Sequence, residues 1–144
     1  AIAAGVLDGL GLGDNTKAAL ITRGLAEMKR LGVKMGAKED TFFGLSGIGD
    51  LVVTCESKHS RNRFVGDQLG QGRKIDEILK NMEMVAEGVK TAKSAYDLSK
   101  KYKVEMPITR EIYEVIYSGK DPKHSVNDLM TRKLRSEREF LNKE

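Results

Sequence analysis

Apolar residues along this chain recur at intervals of three and four, and hardly anywhere at intervals of two. That spacing gathers them on one stripe of an α-helix, whereas a half-buried strand would alternate. Asp14, Asn15 and Thr16 form a capping cluster ahead of Ala18, Ala19, Leu20, Ile21, Leu25, Met28 and Leu31, so the pattern predicts a helix that stops at Gly32 or Gly36. Short helices are predicted over 39–43 and 47–55, and Ser60 caps another that runs to Gly70 or Gly72. The stretch 74–81 puts Ile75, Ile78 and Leu79 on one face. The stretch 85–102 does the same with Val89, Ala92, Ala95, Tyr96 and Ser99. Pro107 suits the first turn of a helix carrying Ile108, Ile112, Val115 and Ile116 to near Gly119, and Pro122 opens a last one with Val126, Leu129 and Met130. The longest β-branched cluster, around 51–53, is too short to compete. The pattern predicts one all-α, multi-helix domain over 1–144, with 132–144 as a charged tail.

Composition narrows the function classes. At 144 residues the chain can bury a real core, and 32% charged against 40% hydrophobic residues describes a globular protein. The net charge of +4 suits an anionic ligand, but 21 acidic residues are interspersed with 25 basic ones, which argues against a nucleic-acid stripe. A lone Cys55 excludes a disulfide framework, no Cys/His grouping has metal-site spacing, and no apolar run is long enough to span a membrane. The opening AIAAG has neither an initiator methionine nor a polar lead-in, as expected of a piece cut inside a helix. It says nothing about any leader ahead of it.

Three segments carry candidate chemistry. Gly9, Gly11 and Gly13 suggest a dinucleotide fingerprint, but that motif needs a preceding strand inside a βαβ unit, so a glycine-rich loop between two helices is the better reading. Asp50 and Thr54 share one helix face at i and i+4, with Leu51, Val52 and Val53 left to anchor that helix in the core. An acid beside a hydroxyl on an apolar helix needs a partner, although an aspartate favoured by the helix dipole reads the same way. Ser60, Arg61 and Asn62 place a hydroxyl, a guanidinium and an amide at a helix N-terminus, an arrangement suited to phosphate and equally to a plain cap. Lys58, His59 and Arg63 read as surface residues, Cys55 as a small buried hydrophobe, and Met82, Met84 and Met106 as core filler. Glu87 reads as a first-turn acid or as a ligand to a cofactor hydroxyl.

Taken in order, GLGLGDNTKAALITRGLAEMKRLGVKMGA, FFGLSGIGDLVVTCESKHSRNRFVG and MVAEGVKTA resemble the C-terminal domain of bacterial NAD(P)-dependent glycerol-3-phosphate dehydrogenase, over residues 1 to about 131. The resemblance implies an all-helical substrate domain like those of the 6-phosphogluconate and glycerol-3-phosphate dehydrogenases, working with an N-terminal dinucleotide-binding domain that this chain lacks. It implies NAD or NADP as cofactor, no metal, and interconversion of sn-glycerol 3-phosphate and dihydroxyacetone phosphate for glycerophospholipid synthesis. A cytoplasmic homodimer is implied as well, with no nucleic acid and no membrane span. By position, Asp50 and Thr54 match catalytic-site residues, Asp50, Ser60, Arg61 and Asn62 match substrate ligands, and Arg61, Val85 and Glu87 match residues touching the cofactor. The general-base lysine would lie just upstream of AIAAG, so the chain by itself is expected not to catalyse. Two alternatives stand beside this reading: the substrate domain of another hydroxyacid-type dehydrogenase, and a non-enzymatic basic helical binding module.

Overall fold

A computed structural model describes residues 1–84 and 86–132, and eight α-helices account for most of them. They are α1 (Ile2–Gly9), α2 (Asp14–Lys34), α3 (Asp50–Glu56), α4 (Arg61–Gly70), α5 (Ile75–Lys80), α6 (Glu87–Tyr102), α7 (Pro107–Tyr117) and α8 (Pro122–Met130). A 3₁₀ turn over Glu39–Phe43 and a π turn over Leu45–Gly49 lead from α2 into α3. No strand occurs among the described residues, in agreement with the all-α expectation. The tail from 133 onward and Val85 lie outside the described residues.

The core forms where α1, α4, α5, α6 and α7 converge, around Val6, Val65, Leu69, Ile78, Val89 and Ile116. Its centre is the α1–α4 crossing, where Gly5 and Gly9 face Gly66 and Gly70. A Cβ at Gly66 would fall inside contact distance of the Ile2 carbonyl oxygen, and one at Gly5 inside that of the Arg63 carbonyl oxygen. Each glycine costs a helix interior about 1 kcal/mol relative to alanine, so four of them at i and i+4 spacing mark a crossing that needs backbone-to-backbone approach. Gly9 therefore belongs to the helix and its packing. Only the following turn, with Gly11 at φ +70°, fits the predicted glycine loop.

Several local expectations change. Gly13 occupies the cap position of α2 with no side-chain bond, and Asp14 sits inside the first turn. On α3, Cys55 is the buried anchor, as expected of it, while Val52 and Val53 are 39% and 66% exposed. Three consecutive positions span about 200° of a helix, so residues 51–53 cannot all face the core. Met106 is buried and Met82 packs against the core, but Met84 is exposed. Leu79 is more exposed than Ile78 beside it.

α7 begins with Pro107, as predicted, but its exposed N–H groups are met from a distance. The Glu27 carboxylate on α2 accepts from the N–H of Ile108 (2.6 Å), the N–H of Thr109 (3.1 Å) and the Thr109 hydroxyl (3.1 Å). Burial raises the Glu27 carboxyl above its ordinary value of 4.5, against the lowering effect of those three bonds. Replacing Glu27 by alanine strands two helix-end donors and is expected to cost about 2 kcal/mol of stability. A group with a raised folded pKa stabilises fully below its unfolded value and loses that contribution as pH rises through the folded one. The stability of the wild type over Glu27→Gln should therefore shrink as pH climbs upward from 4.5, and denaturant titrations of the two proteins across that range test it.

Candidate functional site

α3 ends at Glu56, and Ser57, with extended backbone, turns the chain away from the helix axis. The N–H of His59 donates to the Ser57 hydroxyl oxygen (3.1 Å) and the N–H of Ser60 to the Ser57 carbonyl (3.1 Å). These bonds close a tight turn that delivers Ser60 to the start of α4. There the Ser60 hydroxyl oxygen accepts the N–H of Arg63 (3.2 Å), as a cap should. The N–H groups of Arg61 and Asn62 have no acceptor within the helix and point out of its end, where the helix dipole adds partial positive charge.

The start of α6 lies against this end. Gly88 N–H donates to Asn62 Oδ1 (2.8 Å), and a Cβ on Gly88 would sit 2.6 Å from that oxygen, so a side chain there would push the Asn62 amide aside. The bond fixes the Asn62 amide and leaves its Nδ2 donor unused among the described residues. A cavity of about 300 Å³ opens between the three segments. Its walls are Val53, Thr54, Ser57, His59, Ser60, Arg61, Asn62 and Glu87.

The structure thus brings together Thr54, Ser60, Arg61, Asn62 and Glu87 from the sequence expectations. Asp50 stands one turn before Thr54 on α3, exposed, outside the cavity lining and without a hydrogen bond or ion pair among the described residues. Val85 lies outside the described residues. Sequence reasoning missed Ser57 and His59 as wall residues. The run of polar residues before a helix cap was the available signal. Arg63, expected at the surface, is largely buried and donates from Nε to Asp8 Oδ2 (2.6 Å).

Chemically the cavity offers hydroxyls, an amide, a guanidinium and helix-end N–H groups, which together suit a phosphate or similar oxyanion. Glu87 supplies a single acceptor at its edge. No group of three or more His, Cys, Asp or Glu side chains is arranged to hold a metal among the described residues, and no described helix is long and apolar enough to cross a membrane. A second, larger cavity of about 380 Å³ runs between α2, α7 and α8. Its walls are mostly aliphatic, its acids Glu27 and Glu111 are engaged by α7 and by Arg110 and Lys120, and Arg23, Arg30 and Arg132 also line it, with the Arg30 Nε buried and without a hydrogen-bond partner among the described residues.

Fold and site together define an all-helical domain with a polar cavity at a helix N-terminus. Residues 1–127 match the family described as NAD-dependent glycerol-3-phosphate dehydrogenase C-terminus, and the chain belongs to that family. It is 58% identical over 142 residues to the glycerol-3-phosphate dehydrogenase [NAD(P)+] of Geobacillus kaustophilus, covering 99% of this chain and 41% of that protein. With the enzyme of the same description from Citrifermentans bemidjiense the identity is 62% over 137 residues, covering 95% and 41%. The crystal structure of glycerol-3-phosphate dehydrogenase from Coxiella burnetii superposes with a TM-score of 0.89 at 42% identity, over 91% of this chain and 40% of that one. The chain spans about 41% of the length of the curated relatives it matches.

Proposed function

We propose that this chain is the substrate-binding part of an NAD(P)-dependent glycerol-3-phosphate dehydrogenase that interconverts sn-glycerol 3-phosphate and dihydroxyacetone phosphate, a step toward glycerophospholipids. The observation that carries the reading is the cavity at the start of α4, where Ser60, Arg61 and Asn62 meet Thr54 and Glu87. Arg61 and the Ser60-capped helix end hold the dianionic phosphate, and Asn62, fixed by Gly88, orients the rest of the substrate. Asp50, unpartnered within the described residues, faces the part of the protein that lies outside this chain. There it orients the ammonium of the general-base lysine expected just ahead of residue 1. Holding phosphate and hydroxyl together fixes the reacting carbon, an orientation effect worth several kcal/mol.

The nicotinamide, when bound, supplies the acceptor for hydride. The residues present fit its edge: Glu87 offers a carboxylate to a hydroxyl or amide, and Arg61 a donor, both lining one cavity. Most of its contacts belong to a dinucleotide-binding domain outside this chain, the partner against which this helical domain works. The enzyme is a cytoplasmic homodimer on this reading.

The test follows absorbance of NADH and NADPH with dihydroxyacetone phosphate. Turnover is expected from the full-length protein and none from residues 1–144 alone. Glycerol 3-phosphate should protect the chain from thermal unfolding more than duplex DNA does. Robust turnover by the 144-residue chain would sink the division of labour, and protection by DNA alone would favour a basic binding module.

A further inference from the structure

We infer that Asp8, outside the cavity, is a positioning residue that sets the spacing of the cavity walls against the substrate phosphate; this rests on the phosphate-binding reading above. Asp8 lies on α1 and is mostly buried. Its Oδ1 is 2.5 Å from Lys17 Nζ on α2, and its Oδ2 accepts from Arg63 Nε on α4 at 2.6 Å. Lys17 is itself buried, with 7% of its side chain exposed, and its ammonium is also 3.7 Å from Glu56, the last residue of α3. One carboxylate therefore ties α1, α2 and α4 directly, and α3 through a shared lysine.

Both ends of this chain of charges adjoin residues that line the cavity. Glu56 lies two residues after Thr54 and just before Ser57, and Arg63 lies two residues after Arg61. The backbone N–H of Arg63 is the donor that the Ser60 hydroxyl caps, so the first turn of α4 is held by Ser60 on one side and by Asp8 on the other. The Arg63 carbonyl also abuts Gly5, which locks the backbone of α1 to α4 at the same residue. Removing the Asp8 charge would leave Lys17 and Arg63 with only Glu56 between them. Two desolvated cations repel, and Arg63 is the one attached to a cavity wall. Displacement of that first turn changes where Arg61 and the free N–H groups meet an oxyanion, while no ligand-contacting atom has been replaced.

The experiment uses the full-length dehydrogenase with Asp8→Asn and Arg63→Lys. The second variant keeps the charge balance, so it remains informative where Asp8→Asn fails to fold. KM for dihydroxyacetone phosphate should rise roughly tenfold, with kcat within about threefold of wild type. The slow turnover of dihydroxyacetone, which lacks the phosphate, should keep its kcat/KM. An unchanged KM for the phosphate ester in Arg63→Lys, or an equal loss of kcat on both substrates, overturns the positioning role and leaves a purely structural ion cluster. Wild-type protein that turns over neither substrate overturns the dehydrogenase reading on which the inference stands, a result distinguishable from the first two.

Discussion

Gly66→Ala is expected to remove much of the chain's stability at 25 °C. In an exposed helix interior this substitution would help, by about 1 kcal/mol of intrinsic propensity. Here the new methyl would be driven into the Ile2 carbonyl oxygen, with Val6 N–H only 2.8 Å away, and neither is a side chain that can swing aside. α1 and α4 would have to separate, opening the contacts of Val6, Val65 and Leu69 at the centre of the core. A cost above about 4 kcal/mol follows, comparable with the 5–15 kcal/mol that holds a typical domain together. Gly24, mid-helix on α2 with nothing within 4 Å of a Cβ, provides the control. Gly24→Ala should raise stability by about 0.5–1 kcal/mol. Circular-dichroism melts of the two variants decide it: a Gly66→Ala midpoint close to wild type would mean the crossing is not tight.

That crossing also marks the limit of what the sequence discloses. Pro107, Pro122 and the Ser60 cap announce helix starts through local chemistry, and all three stand where periodicity puts them. The glycines at 5 and 9 and at 66 and 70 carried a legible spacing, but which pair of helices they would join depends on tertiary arrangement. Glu27 capping α7 is out of local reach, since its acceptor lies 81 positions before Ile108. Arg63 looked like a solvated surface charge because its partner Asp8 is 55 residues away. Val52 and Val53 were assigned inward by hydrophobicity alone, although consecutive helical positions cannot all face the core, and both are exposed. The cavity was legible at Ser60–Asn62 through cap chemistry. Glu87 was a candidate as well, but its meeting with Ser60–Asn62 was not legible, because it depends on the contact between Gly88 and Asn62, 26 residues apart.

Arg61→Ala should raise KM for dihydroxyacetone phosphate by roughly 100- to 1,000-fold in the full-length enzyme, on the proposed phosphate role. Two charge-assisted hydrogen bonds to a dianion, at about 1.5–2 kcal/mol each, give that range. Arg61 is exposed and makes no ion pair among the described residues, so its removal should move stability by no more than about 0.5 kcal/mol. The loss is then one of binding and not of folding, and a thermal melt run beside the kinetics separates the two. Arg61→Lys keeps a point charge but not the planar fork, so it should recover only part of the affinity, about tenfold. Asp50→Asn offers the opposite signature. It lies outside the cavity lining and is proposed to act on the base lysine, so kcat should fall with little change in KM for the phosphate ester. If Arg61→Ala lowered kcat while leaving KM untouched, the guanidinium would belong to the reacting centre, and the phosphate would have to be held by the helix end and Asn62 alone.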